Sequence, residues 1–376
     1  MSTWLSATAV IAQLRSEWGL SDAQGSWLTI AVQLGFVAGA LTSSFVNLPD
    51  LLPPNRVIAC GAVGAALVNA LLISVRSAGP AITLRFLTGF FVAGVYPPAL
   101  KFIATWFKTG RGVALGVLVG ALTLGTASPH LVNSLGGIAW EAVVITASVL
   151  TLVGAAVALT VPEGPYPFPR ATFDPRQVHR TLANRGVRLA SVGYFGHMWE
   201  LYAAWAWVHV FFSDVLGGDR RTGALVAFSV VGIGGLGCYW GGLLGDRWGR
   251  TRTTAAAMAI SGTCALTIGF SQAGPTWIVV ILGLLWGLSV VADSAQFSTM
   301  VTELADQAYV GTALTLQLAL GFTLTVVTIW LIPLVERVHG WGWAFALLAL
   351  GPALGIVAML RLKGLPEARR LAGGRG

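Results

Sequence analysis

Charge is scarce in this chain. Only 10% of its 376 residues are Asp, Glu, Lys or Arg, while 55% are hydrophobic. An ordinary soluble domain carries roughly 25% charged residues, so the composition excludes one. Cysteine is scarcer still. Cys60, Cys238 and Cys264 all fall in apolar stretches, with spacing that suits neither a disulfide framework nor a zinc site. No G-x-x-x-x-G-K-[ST] phosphate loop is present, which excludes ATP hydrolysis by that route. No Asn-x-Ser/Thr sequon occurs, and the N-terminal apolar run lacks the basic n-region of a cleavable signal peptide. No catalytic constellation stands out. The expectation is a protein that is not an enzyme and needs no metal or cofactor.

What is present is apolar sequence in long runs. The mean hydropathy is +0.75. A bilayer-spanning helix needs about 20 mostly apolar residues. Twelve runs qualify as candidates, near 1–14, 26–46, 57–75, 80–106, 113–135, 139–161, 189–213, 223–244, 254–272, 275–300, 309–334 and 341–361. The 47 glycines suit helices that pack closely in lipid. The first run is short. The 14 residues before Arg15 span roughly 21 Å of a hydrocarbon core about 30 Å thick. Either the helix begins upstream of residue 1, or it is short and the bilayer thins around it. Residues 162–188, rich in proline and arginine, divide the chain into an expected six-helix bundle at 1–161 and a second at 189–376.

The net charge of +8 resembles a nucleic-acid signal until the positions are read. The basic residues lie in short loops and tails, as topology determinants do. With both termini placed in the cytoplasm, that side holds sixteen of the 23 Lys and Arg and the opposite side five. Arg85 and Lys101 lie within the fourth span. The bias places both termini inside a plasma (inner) membrane, with no nucleic-acid partner.

The halves repeat. Gly79-Pro80 opens the fourth span and Gly274-Pro275 the tenth; Gly112-Val113-Ala114-Leu115 and Gly311-Thr312-Ala313-Leu314 open the fifth and eleventh. Weak symmetry between halves is a signature of secondary transporters, whose substrate site lies between the repeats near the midplane.

Between the eighth and ninth spans stands a charged knot, Gly242-Leu-Leu-Gly-Asp246-Arg247-Trp-Gly249-Arg250-Thr-Arg252. Such a cluster cannot lie in hydrocarbon and must turn at a membrane face. Gly242 and Gly249 permit a tight turn and close helix approach. Asp246 can accept bonds from a neighbouring helix N-terminus or pair with an arginine. This loop, with Arg85-Phe-Leu-Thr-Gly89 in the fourth span, resembles the signatures G-x-L-x-D-R-x-G-R and R-x-x-x-G of the major facilitator superfamily (MFS). The twelve runs and the basic middle linker extend the likeness over the whole chain. The resemblance implies two six-helix bundles rocking around a central site, with Asp246, Arg247 and Arg250 latching the cytoplasmic side in the outward-open state. A plain topology anchor is the alternative. In most members the strongest copy of the loop follows the second helix, and here residues 47–56 hold only a degenerate one.

Ionisable residues within spans are functional candidates, because charge there is costly. His197 and Glu200 fall roughly 12–17 Å into the seventh span and share a face at i,i+3. They read as a proton-coupling pair, or as a structural lock between helices. Arg85 could meet an anionic substrate group, or pair structurally with Glu141 near His130. Asp293 and Lys101 could pair across the halves as a gate, or each could snorkel. Trp199, Tyr202, Trp205 and Trp207 give the seventh span an aromatic side, for substrate or for packing. Gln33 and Gln317 are candidate polar wall residues, and Pro97-Pro98 should kink the fourth span.

The resemblance implies a monomeric secondary transporter of a small organic solute, coupled to protons. Nitrate porters of the superfamily use arginines in the second and eighth helices, and none occurs here. The drug-exporter Gly-Pro pattern of the fifth helix is also missing. A non-transporting sensor on the same fold is the rival reading; a membrane-embedded enzyme is a weaker one.

Overall fold

The computed structural model describes residues 2–45, 52–107, 109–135, 139–166, 183–307 and 310–376, with only the backbone at 44–45 and 311–312. Half of the degenerate loop copy (47–51), Lys108, Gly136-Gly137 and the linker arginines Arg170, Arg176 and Arg180 lie outside the described residues.

Among the described residues, every regular element is helical. In chain order these are α1 (Ser6–Ala9), α2 (Ile11–Trp18), α3 (Asp22–Phe45), α4 (Pro54–Ala70), α5 (Ala78–Val92), α6 (Tyr96–Ala104), α7 (Arg111–Ser134) and α8 (Trp140–Thr160). Then follow α9 (Arg185–Val215), α10 (Arg220–Trp248), α11 (Arg250–Ile268), α12 (Thr276–Val290), α13 (Ser294–Leu304), α14 (Val310–Ala346) and α15 (Leu350–Lys363).

Eight stretches among the described residues are long and apolar enough to cross a membrane. The all-helical membrane fold is as expected, and these eight do not by themselves account for all twelve expected spans. The last stretch, Ala313–Lys363, contains two expected spans, because Gly340 breaks α14 with φ at 76°. The first, seventh and ninth expected spans are not among the eight. The first is two short helices, α1 of 4 residues and α2 of 8. Helix α9 is 31 residues long, but His197, Glu200 and His209 lower its hydropathy. Helix α11 opens on the polar run Arg250-Thr-Arg-Thr-Thr254.

Two long helical legs are interrupted at corresponding places. The first breaks at Ala93–Val95, between α5 and α6, just before Pro97 and Pro98. Proline has no N–H to continue the ladder, so the expected kink is present. The second breaks at Val291–Asp293, between α12 and α13, with no proline nearby. Asp293 is the residue immediately before α13.

Helix starts follow local chemistry. The Asn184 side chain accepts from the Val187 N–H at 3.1 Å and caps α9. Asp219 caps α10, accepting from the N–H groups of Arg221 and Thr222 and from the Thr222 hydroxyl. The Thr222 hydroxyl and N–H hold the Asp219 carboxyl below the ordinary carboxylate range.

The two halves of the chain meet along long seams. Helix α7 runs beside α10, and small residues set the spacing. A Cβ at Gly116 would lie 2.5 Å from the Cys238 carbonyl oxygen, and one at Gly242 would lie 2.6 Å from that of Gly112. Only glycine permits such close backbone approach. Helix α3 faces α14, with Phe36 against Phe322 at 4.3 Å between ring centroids.

Candidate functional site

The centre of the molecule is closed by aromatic side chains from both halves. Trp4 and Phe36 come from the first half, Tyr202 and Phe322 from the second. Trp4 lies 5.6 Å from Tyr202 and 5.2 Å from Phe322, and Tyr202 lies 5.0 Å from Phe322. Trp205 abuts Tyr202 at 5.5 Å. Tilted and edge-on rings at this separation attract beyond simple area burial. Tyr202 therefore sits in the interface between the halves.

Buried polar groups stand in the same helices. Gln33 on α3 and Gln317 on α14 are 0% and 2% exposed, and neither amide has a hydrogen-bond partner among the described residues. The indole N–H groups of Trp4 and Trp205 are also unpartnered. Most buried polar groups in proteins are satisfied. Such a concentration marks a place where water or a ligand supplies the missing partner.

His197 and Glu200 were expected to meet, and they do not. His197 Nδ1 contacts Asp293 Oδ1 at 2.9 Å, with both side chains almost fully buried. His197 also packs against Phe297 and Tyr194. Glu200 turns to other helices of the same half instead: its Oε1 accepts from Trp286 Nε1 at 2.7 Å and its Oε2 from Ser261 Oγ at 2.9 Å. Neighbours at i,i+3 on a helix diverge by about 60°, enough for different adjacent helices to claim them. Asp293 makes its ion pair with His197 rather than with Lys101. The pair sits on the interruption between α12 and α13, and His197 Nε2 has no partner among the described residues.

Arg85 is 0% exposed and wholly engaged. It donates from Nη1 to the Thr3 carbonyl at 2.9 Å and to Asn69 Oδ1 at 3.0 Å, from Nε to the Leu28 carbonyl at 3.3 Å, and from Nη2 to the Trp4 carbonyl. Its expected partner Glu141 pairs with Arg76 at 3.3 Å instead. Residues 2–5 are not helical and leave carbonyls free, and Arg85 binds them, so it braces the chain segment that carries Trp4. Trp199 donates to the Leu347 carbonyl at 3.1 Å, so its indole is committed to the segment after α14 rather than to the aromatic closure.

The charged loop is a network. Asp246 Oδ2 accepts from the Val113 N–H at 3.2 Å, across the halves, at the N-terminus of α7. Orphan N–H groups and the helix dipole favour a carboxylate there. Arg250, 2% exposed, donates to Asp246 at 3.1 Å, to Glu303 at 2.6 and 2.8 Å, and to Gln296 at 2.8 Å. Gly242 supplies the close approach, and Gly249 turns the chain at φ 100°. Arg247 is exposed. The turn is backed by the end of the chain: Arg375 donates to the Asp246 carbonyl at 2.5 Å, and the Ala372 N–H donates to Glu303 at 3.1 Å.

Sequence reasoning missed Trp4, Phe36, Phe322, Trp286, Gln296 and Glu303. Glu303 carried a usable signal, an acid at the end of a long apolar run. The aromatic residues carried none, because apolar spans contain many.

Interrupted legs in matching positions of two repeated halves, a buried ion pair on one interruption and a closure built from both halves define a class: multi-pass helical membrane proteins of repeated architecture. The family model for the Major Facilitator Superfamily matches residues 1–326. The chain belongs to that superfamily and is a multi-pass membrane transporter. Among curated proteins, none matches it.

Proposed function

We propose that this chain is a secondary active transporter that moves a small organic solute by alternating access, driven by protons. The two halves, 1–161 and 189–376, would rock about the aromatic closure with 162–188 as their tether. The Lys/Arg census supports placing the Asp246 end, and both termini, on the cytoplasmic face of a plasma membrane. On this reading the protein is a monomer in lipid, and Asp246, Arg250 and the Gly242 seam form its cytoplasmic latch.

One observation carries the coupling reading: the buried His197–Asp293 pair on an interrupted helix. Interrupted helices at corresponding positions of two repeated halves are the best sequence-level pointer to a transporter's binding site. Histidine's ordinary titration range spans physiological pH. Removing the proton from such a pair leaves a buried carboxylate uncompensated, which favours a conformer that re-wets it. Gln33, Gln317 and Tyr202 are the proposed solute-facing groups.

The test uses proteoliposomes and a solute identified by thermal-shift screening of the detergent-solubilised chain. Asp293→Asn should abolish accumulation driven by a pH gradient while counterflow exchange persists. Accumulation that survives in Asp293→Asn removes that residue from coupling. Glu200→Gln is the parallel variant. Loss of accumulation there, with Asp293→Asn active, would move the role to Glu200. Solute binding without any flux would instead assign a sensor.

A further inference from the structure

Away from the aromatic closure, the Asp22 end of the molecule holds open space between the halves. A cavity of about 430 Å³ is lined by Arg15, Ser16, His209, Ser213, Asp214 and Arg220, among others. A second, of about 200 Å³, shares His209 and Arg220 and adds Gln13, Asn133 and Arg221. His209 is 4% exposed and lines both. Its Nε2 lies 3.3 Å from the Arg220 carbonyl, and its Nδ1 is buried without a partner. Behind it stands His130, from the other half of the chain and 0% exposed. The two rings are 5.6 Å apart at 70°. Neither ring nitrogen of His130 has a partner among the described residues.

One orphaned ring nitrogen, His209 Nδ1, thus stands at the wall of a cavity that both halves line, with the two of His130 behind it. Burying such groups unpaired is unfavourable, and native structures rarely do it without a water, an ion or a ligand. The surrounding charge decides which. Arg15, Arg220 and Arg221 face this space, and Asp214 is the carboxylate on its lining. Asp214 Oδ2 already accepts from Trp341 Nε1 at 3.0 Å. The Glu17 carboxylate, on the same helix as Arg15, accepts from Trp140 Nε1, and Asp219 is committed to its cap. Arg15 Nε is itself buried without a partner. The Arg220 guanidinium makes no ion pair or hydrogen bond among the described residues. A metal dication would meet guanidinium groups, whereas an oxyanion would meet their N–H donors; His209, whose Nε2 faces the Arg220 carbonyl, offers Nδ1 as an acceptor to a ligand hydroxyl or a water.

We propose that this cavity is a binding site for a small oxyanion, a carboxylate or a phosphate, received by the Arg220 guanidinium beside the His209 ring. It is separate from the aromatic closure and the His197–Asp293 pair. In the proposed topology it opens to the outside, where it would concentrate anions before the halves part.

The test is thermal unfolding of the purified chain in detergent at constant ionic strength. Sodium benzoate, sodium phosphate, tetraethylammonium chloride and zinc chloride are titrated separately. A saturable rise in unfolding temperature with benzoate or phosphate, and none with tetraethylammonium, is expected. The anion that acts tells an organic carboxylate from inorganic phosphate. Arg220→Gln, at an exposed position, should raise the half-saturating concentration about tenfold, the loss of one charge-assisted bond. Equal shifts in wild type and Arg220→Gln, or a response to zinc alone, would overturn the proposal. The measurement is of binding, so its failure leaves the transport reading standing.

Discussion

The two ends of the seam between the halves are built differently. At the Asp246 end the halves are drawn to backbone contact at Gly112 and Gly242, and a buried arginine ties Asp246, Gln296 and Glu303 together. At the Asp22 end, among the described residues, a single exposed ion pair crosses between them. Asp22, 51% exposed, pairs with Arg15 at 2.8 Å in its own half and with Arg337 in the other. Arg221 reaches across to the Ser134 carbonyl at 2.9 Å beside a cavity. Exposed pairs contribute about 0–1 kcal/mol each, whereas stripping one partner from a buried network costs several. The structure is therefore a conformer fastened at the Asp246 end and lightly held at the Asp22 end. Under the proposed alternating access, the lightly held end would be the one that opens next.

Breaking the fastened end should have the largest effect. Arg250→Ala leaves Glu303 and Asp246 facing each other with no cation between them. The expected loss is about 3 kcal/mol, roughly a hundredfold shift in population toward the state open at this end. Spin labels on either side of the Asp246 loop would report it as a longer distance. An unchanged distance distribution, with unchanged thermal stability, would show that the network is no fastener.

A purely steric variant sharpens the point, because it leaves every charge in place. Gly242→Ala places a methyl group 2.6 Å from the Gly112 carbonyl oxygen. The neighbour is backbone and cannot swing away, so α7 and α10 must separate there. Overpacking of this kind costs about 1–3 kcal/mol. The same labels should separate, by less than in Arg250→Ala. If the closed state persists unaltered, glycine spacing is not what admits the contact.

The contrast between the ends also marks what the sequence could convey. The Asp246 loop was legible because charge is rare here, and a cluster of it between apolar runs can lie only at a face. The repeated halves and the proline-coupled interruption were legible for similar local reasons. The partners of buried groups were not. Which residue meets His197 depends on how α9 and α12 are rotated about their axes, and no pattern within one helix encodes that. Spacing pointed to Glu200, and packing delivered Asp293. Arg85 was located by its motif, but its role as a brace for residues 2–5 depends on a non-helical stretch that hydropathy had read as helix. His209 was available to a count of ionisable residues in the seventh span, since residue 209 lies inside 189–213. Its meeting with His130 was not, because the two approach only when the halves are assembled.

The smallest expected effect tests the lightly held end. Asp22→Asn removes the carboxylate shared by Arg15 and Arg337, leaving two guanidinium groups near each other in solvent. Because these groups are exposed, the change in stability should stay below about 1 kcal/mol. The Debye length falls to about 3 Å at 1 M salt, so high salt should erase most of the difference between variant and wild type. The Arg250→Ala effect should survive the same salt, because that network is screened from water. Distances across the seam at the Asp22 end, measured at about 0.1 and 1 M salt, give the comparison directly. If Asp22→Asn separates the halves as far as Arg250→Ala does, and salt leaves both alike, the two ends are equally fastened and the difference in burial has no mechanical meaning.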